Sequence, residues 1–131
     1  MKRLKASYDV MALLLGAAMA GPASAHHSFG MFDMQKTVTV EGTVKDFQWT
    51  NPHIWIDLMV TDPRREQMVW SVEGDAVTIM TRRGWNRNAL KPGDKVKITA
   101  HPLKTGGIGG SLVSASVNGT PIGTGQAFPP R

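Results

Sequence analysis

The chain has 131 residues, no cysteine and a formal charge of +5. Without cysteine there is no disulfide framework, no thiol nucleophile, no thiolate metal site and no covalent c-type haem, so any metal must be held by His, Met, carboxylate or a free amino terminus. The positive excess includes no dense Lys/Arg block that would release many counterions from nucleic acid, and nucleic acid is not expected as a partner.

The first elements form an export signal. Met1 to Lys5 supply positive charge, Val10 to Ala20 an apolar run, and Ala23-Ser24-Ala25 a small-residue cleavage site. The run is too short for a membrane span, which takes about 20 apolar residues. Residues 1–25 therefore read as a cleaved signal peptide, and the product as periplasmic or secreted, with no transmembrane segment of its own. Cleavage leaves 106 of the 131 residues, and losing Lys2, Arg3, Lys5 and Asp9 lowers the formal charge from +5 to +3. That length holds one domain with one modest core. Residues 26–36 read as an amino-terminal arm, 37–118 as the domain, and 119–131 as a Gly/Pro-rich tail.

Two-residue alternation, the mark of strands with one buried face, dominates the domain. Val38, Val40 and Val44 alternate with Thr39, Glu41 and Thr43; after Asp46 the phase flips to Phe47 and Trp49, which predicts a bulge. In the second strand Ile54, Ile56, Leu58 and Val60 share the core face, while His53, Trp55, Asp57 and Met59 share the other. Asp62 to Glu66 form a polar connection, and Met68, Trp70 and Val72 point inward from a third strand. From Asp75 the period becomes helical: Ala76, Ile79, Met80 and Arg83 fall on one stripe of a helix of two or three turns, with Asp75 as N-cap and Gly84 closing the end. Lys91-Pro92-Gly93-Asp94 has the composition of a type II turn. Val96, Ile98 and Ala100, then Val113, Ala115 and Val117, give two more inward rows.

Three strands, a helix and two strands match the order of the five-stranded OB barrel, with a small open β-sandwich as the alternative.

His26-His27-Ser28-Phe29, Val40-Glu41-Gly42-Thr43-Val44, Trp49-Thr50-Asn51-Pro52-His53-Ile54-Trp55-Ile56, Arg82-Arg83-Gly84-Trp85 and Leu90-Lys91-Pro92-Gly93-Asp94 resemble the motifs of a family of small exported bacterial proteins, domain-of-unknown-function family 6152. The resemblance implies the compartment and the fold, and no activity.

Chemistry concentrates at the cleavage point. A chain beginning at His26 offers amine and ring nitrogen to Cu(II), and one further imidazole completes a histidine brace; imidazole suits copper, which tops the divalent affinity order. His53 and His101 are candidates for that imidazole, and His27 for binding through amine, amide and ring. Met31 and Met34 add thioethers, which favour Cu(I). Copper is thus the expected cofactor, with His26, His27, His53, Met31, Met34 and His101 as candidate ligands. Alternatively, the strand 2–3 face binds an envelope saccharide, a peptide or a periplasmic protein through Asn51, Trp55, Asp57 and Met59. No catalytic role is expected: no strand-turn-helix nucleophile elbow is present, and Gly106-Gly107-Ile108-Gly109-Gly110 lacks the lysine and the following helix of a phosphate loop.

Overall fold

The computed structural model describes residues 29–124. The leader, its cleavage site, His26 and His27 lie outside these residues, as do residues 125–131. A single 3-10 turn (Phe29–Met31) leads into β1 (Val38–Gln48), β2 (Trp55–Thr61), β3 (Gln67–Glu73), α1 (Val77–Arg82), β4 (Lys95–Pro102), β5 (Gly110–Val117) and a two-residue β6 (Thr120–Pro121). The strands lie in the order β3-β2-β1-β4-β5-β6, and a parallel β3–β5 pairing closes the first five into a barrel. This is the OB arrangement, with α1 between β3 and β4. Among the described residues no helix is long and apolar enough to cross a membrane.

The inward rows of the strands make the core. Ile54, Ile56 and Leu58 are fully buried, and Val44, Val72, Met80, Trp85, Leu90, Val96, Ile98, Ala100, Leu112 and Ala115 pack with them. The expected bulge in β1 is present: the ladder to β2 passes from Val44↔Leu58 to Asp46↔Asp57, so Lys45 is the extra residue. It lets one strand pair with β4 through its first half and with β2 through its second.

Four local expectations are corrected. Asp75 does not cap α1; Ala76 holds the cap position without a side-chain bond, and the Val77 N–H goes to Asn51 Oδ1 at 3.0 Å. The helix has only six residues, and Ile79 is exposed while Val77 and Met80 face the core, because the chain enters α1 directly from the buried strand end at Gly74-Asp75. In β5 a second irregularity, between Thr99↔Ser114 and Ala100↔Leu112, makes Val113 the extra residue and puts Leu112 in the core row instead. The stretch expected to be a tail from residue 119 begins with barrel structure: Asn118 (φ 49) and Gly119 (φ 82) make a tight hairpin turn, Ser116 pairs with Pro121, and Ile122 packs on the core.

The helix end follows the sequence. Gly84 takes φ 82, its N–H bonds the Thr81 carbonyl, and the Trp85 N–H returns to Met80 O, a Schellman closure with buried Trp85 against buried Met80. The Thr124 N–H then caps Arg83 O from the C-terminal segment. Lys91 to Asp94 closes its turn through Asp94 N–H to Lys91 O at 3.0 Å.

Ile56, fully buried at the barrel centre, gives the direct test of this core. Ile56→Ala should cost about 2–5 kcal/mol in denaturant unfolding; a loss under about 1 kcal/mol would place it outside a tightly packed interior.

Candidate functional site

The Asn51 to Ile54 segment, between β1 and β2, is stitched to the β3–α1 junction. Asn51 Oδ1 caps α1, the Ile54 N–H bonds Asp75 O at 3.0 Å, and the Gly74 N–H bonds Ile54 O at 2.9 Å. His53 Nδ1 lies 2.9 Å from the Gly74 carbonyl and 3.1 Å from Glu73 Oε1. Both partners are acceptors, so Nδ1 is the nitrogen that donates here. Metal-binding histidines have this outer-shell arrangement. The Asn51–Pro52 peptide is cis.

His101, near the end of β4, is only 8 % exposed, and its Nδ1 gives its proton to the Lys36 carbonyl at 2.7 Å. Nδ1 is thus engaged with the arm's backbone, as it is with a carbonyl in His53. This bond is one of several that clamp the amino-terminal arm onto the barrel. Phe32 bridges Leu103, the Asp33 N–H bonds Pro102 O at 2.8 Å, and the Lys104 N–H bonds Met31 O at 2.9 Å. Phe32 is buried, Met31 is half exposed, and Met34 lines a hollow of about 440 Å³ with Phe32, Asp33, Gln35 and Lys104. The Lys36 ammonium, bonded to Asp33, holds that carboxyl below its usual range.

Glu73 pairs with Ser111 on β5, and Ser111 pairs with His101 on β4. All three have outward parity, opposite to core residues Val72, Leu112 and Ala100. Glu73, the partner of His53, and His101 therefore stand on β3 and β4, two strand spacings or roughly 10 Å apart across β5. Among the described residues no three His or acidic side chains gather as a metal site. The barrel thus brings His53 to Glu73 and His101 to the arm. His26 and His27 are not among the described residues.

The candidate ligand face is a set of cross-strand rows. Trp55 stands between Gln48 and Glu73, Asp57 between Asp46 and Ser71, and Met59 between Thr43 and Val69. Trp55, Asp57 and Met59 are all half-buried, and Ser71 Oγ donates to Asp57 Oδ1 at 2.5 Å. No lysine or arginine stands in these rows; Lys45 occupies the bulge beside Asp46. Asn51, expected at the rim, is there, but its amide oxygen is used as the helix cap. Met59 also borders a hollow of about 670 Å³ where β1 bends, whose lysines are already held, Lys97 by Glu41 at 2.8 Å and Lys95 by Thr43 at 2.7 Å.

Sequence reasoning missed three members of these sites: Glu73 beneath His53, Ser71 beneath Asp57, and the Lys36 carbonyl behind His101. Outward parity opposite Trp55 was the available signal for Glu73. A backbone carbonyl leaves none.

The fold and sites define a small OB-type barrel with an arm clasped over one rim. The chain belongs to a family of unknown function, DUF6152, whose model matches residues 14–112. No curated protein matches it by sequence. Among solved structures it is similar to two crystal structures of the mitochondrial single-stranded DNA binding protein Rim1 from S. cerevisiae. For the selenomethionine-labelled one the TM-score is 0.46 at 11% identity, covering 65% of this chain and 96% of that one. For the other it is 0.44 at 9% identity, covering 63% and 94%.

Asn51→Ala removes the side-chain acceptor of the Val77 N–H, and should cost about 1 kcal/mol of stability, whereas Asn51→Asp keeps an acceptor and should cost less. Equal losses in thermal unfolding would show that the amide acts in some other way.

Proposed function

We propose that this chain is a non-catalytic exported protein that binds copper at its mature amino terminus, with His26 supplying amine and ring nitrogen and His101 the further imidazole. The observation that carries this reading is the 2.7 Å bond from His101 Nδ1 to the Lys36 carbonyl. With Nδ1 engaged, a metal would take Nε2, and the bond ties the ring to the arm that leads to His26 and His27. His101 is favoured over His53 because His53 Nδ1 is joined to the β3–α1 junction, while His101 contacts the arm itself. Among the described residues no three His or acidic side chains gather as a metal site, so a closed ligand set would take residues from the arm. Met31 and Met34, on the clasped part of the arm, would supply soft donors for Cu(I). When bound, copper would supply affinity and a choice of two oxidation states; the chain's own part is to present the His101 imidazole and hold the arm beside it.

Calorimetric titration of the protein starting at His26 should give about one tightly bound Cu(II). A glycine placed before His26, or His101→Gln, should each weaken binding by at least about tenfold, while His53→Gln leaves affinity within a few-fold. Unchanged curves for both the extended form and His101→Gln would overturn the proposal.

A second reading rests on the outer face of β2 and β3, where half-buried Trp55 and Met59 flank the Ser71-bonded carboxylate of Asp57. A stacked sugar ring or a peptide side chain fits such a surface. Quenching of tryptophan fluorescence by envelope saccharides, removed by Trp55→Ala and insensitive to copper, would favour this binding-module reading over the metal one.

A further inference from the structure

We infer that the outer face of α1 and of the segment joining it to β4 docks on an anionic lipid surface, with Arg82, Arg87 and Lys91 against the headgroups and Ile79 as the apolar point of contact. The core builds this face. Val77, Met80, Trp85, Ala89 and Leu90 turn inward and pack with the barrel interior, so the residues between them stand on the solvent side.

The segment is fixed to the barrel along its length. The Val77 N–H bonds Asn51 Oδ1 at 3.0 Å, and Trp85 meets Phe47 with ring centroids 6.4 Å apart. Gly84 lies against Gly123, where a Cβ would come 3.0 Å from the Gly123 Cα. Further on, the Gly93 N–H bonds Val44 O at 2.8 Å and the Val44 N–H bonds Asp94 O at 2.9 Å. The chain from the end of β3 to the start of β4 is therefore one continuous surface of the barrel.

Charge is shared unevenly between this surface and the rest. Residues 76–93 hold Arg82, Arg83, Arg87 and Lys91 and no acid. The other described residues hold seven Lys or Arg against nine Asp or Glu, so the positive excess of the described chain comes from this face. Elsewhere cations are matched: Lys36 by Asp33, Arg64 by Asp62 and Glu66, and Lys97 by Glu41. Arg82, Arg87 and Lys91 are exposed, and among the described residues no carboxylate forms an ion pair with them. The acids that flank the segment are turned away from the face. Asp75 is buried, and Asp94 gives its carboxylate to the Lys91 N–H at 2.9 Å.

The apolar content of the face selects lipid among anionic partners. Ile79 is 38 % exposed, on a helix whose Met80 is fully buried, and its exposed neighbours are Thr78, Thr81 and Arg82. An apolar side chain among cations suits a bilayer boundary, where Lys and Arg meet phosphate and the apolar group enters between headgroups. Single-stranded nucleic acid takes exposed aromatic rings for its bases, and the aromatic residue of this segment, Trp85, is buried. A contact of three cations and one isoleucine is reversible and sensitive to salt.

Co-sedimentation with vesicles in metal-free buffer tests the proposal, using the protein that starts at His26 and so lacks the apolar leader. It should bind vesicles of phosphatidylglycerol and phosphatidylcholine in equal parts and stay in solution with phosphatidylcholine alone. Raising the salt to about 1 M, where the Debye length is about 3 Å, should release it. Arg82→Glu combined with Arg87→Glu should weaken binding at least about tenfold, and Ile79→Ser about threefold. Arg64→Glu combined with Arg65→Glu, the same charge change at the β2–β3 connection, should alter it less than about threefold. Circular dichroism melts identify a variant that misfolds, and Arg82→Gln with Arg87→Gln then takes its place. Equal losses in the two double variants, equal binding to uncharged vesicles, or no binding at low salt would each overturn the proposal. So would tighter binding of a single-stranded oligonucleotide than of the anionic vesicles. With metal absent throughout, the outcome is independent of copper binding.

Discussion

The short parallel seam between β3 and β5 is the constraint on which the molecule depends. Five strands otherwise form an open, curled sheet; Val72↔Gly110 and Glu73↔Ser111 turn it into a barrel with an interior. Gly110 sits at the crossing where a Cβ would fall 2.5 Å from the His101 carbonyl, so the seam requires a residue without a side chain. Because the seam is short, the ends of the strands are closed by other means. The Asn51–Ile54 segment is laced to the β3–α1 junction, the β5–β6 hairpin brings Ile122 onto the core, and the arm covers the rim at His101.

These closures locate the chemistry. His53 and His101 stand either side of the seam, each with its Nδ1 proton given to a carbonyl that belongs to a closing segment. The imidazoles therefore act first as latches, and with Nδ1 of His101 donating to the arm a metal would take its Nε2. In the proposed copper site this double role has a physical benefit: the bond that positions the arm also selects the tautomer a metal needs.

Much of the barrel was legible because inward rows alternate cleanly. Ile54, Ile56 and Leu58 announce a strand buried on one face, and the phase change near Asp46 marked the β1 bulge within one residue. Gly84 and the Lys91–Asp94 turn were readable because local backbone geometry restricts which residues fit. What escaped depends on partners distant in sequence or on competing signals. Asn51 caps a helix 26 positions away, a relation that periodicity cannot carry, so Asp75 took its place in the sequence reading. The β3–β5 seam joins strands that are not consecutive. The Asn118-Gly119 turn was hidden in a Gly/Pro-rich stretch whose composition suggested a tail. In β5, Leu112, Val113, Ala115 and Val117 are all apolar, and only the register distinguishes the bulged one. For the candidate site, the histidines were found by type, but their partners are backbone carbonyls and Glu73, which come together only in the fold.

Native mass spectrometry of the protein recovered from the cell that makes it, without added metal, tests the copper proposal most directly, since one spectrum reads both the first residue and the bound ion. The predicted mass is that of a chain beginning at His26 with one copper retained. A chain that starts at any other residue, or one that begins at His26 and carries no copper after growth with copper present, would contradict it.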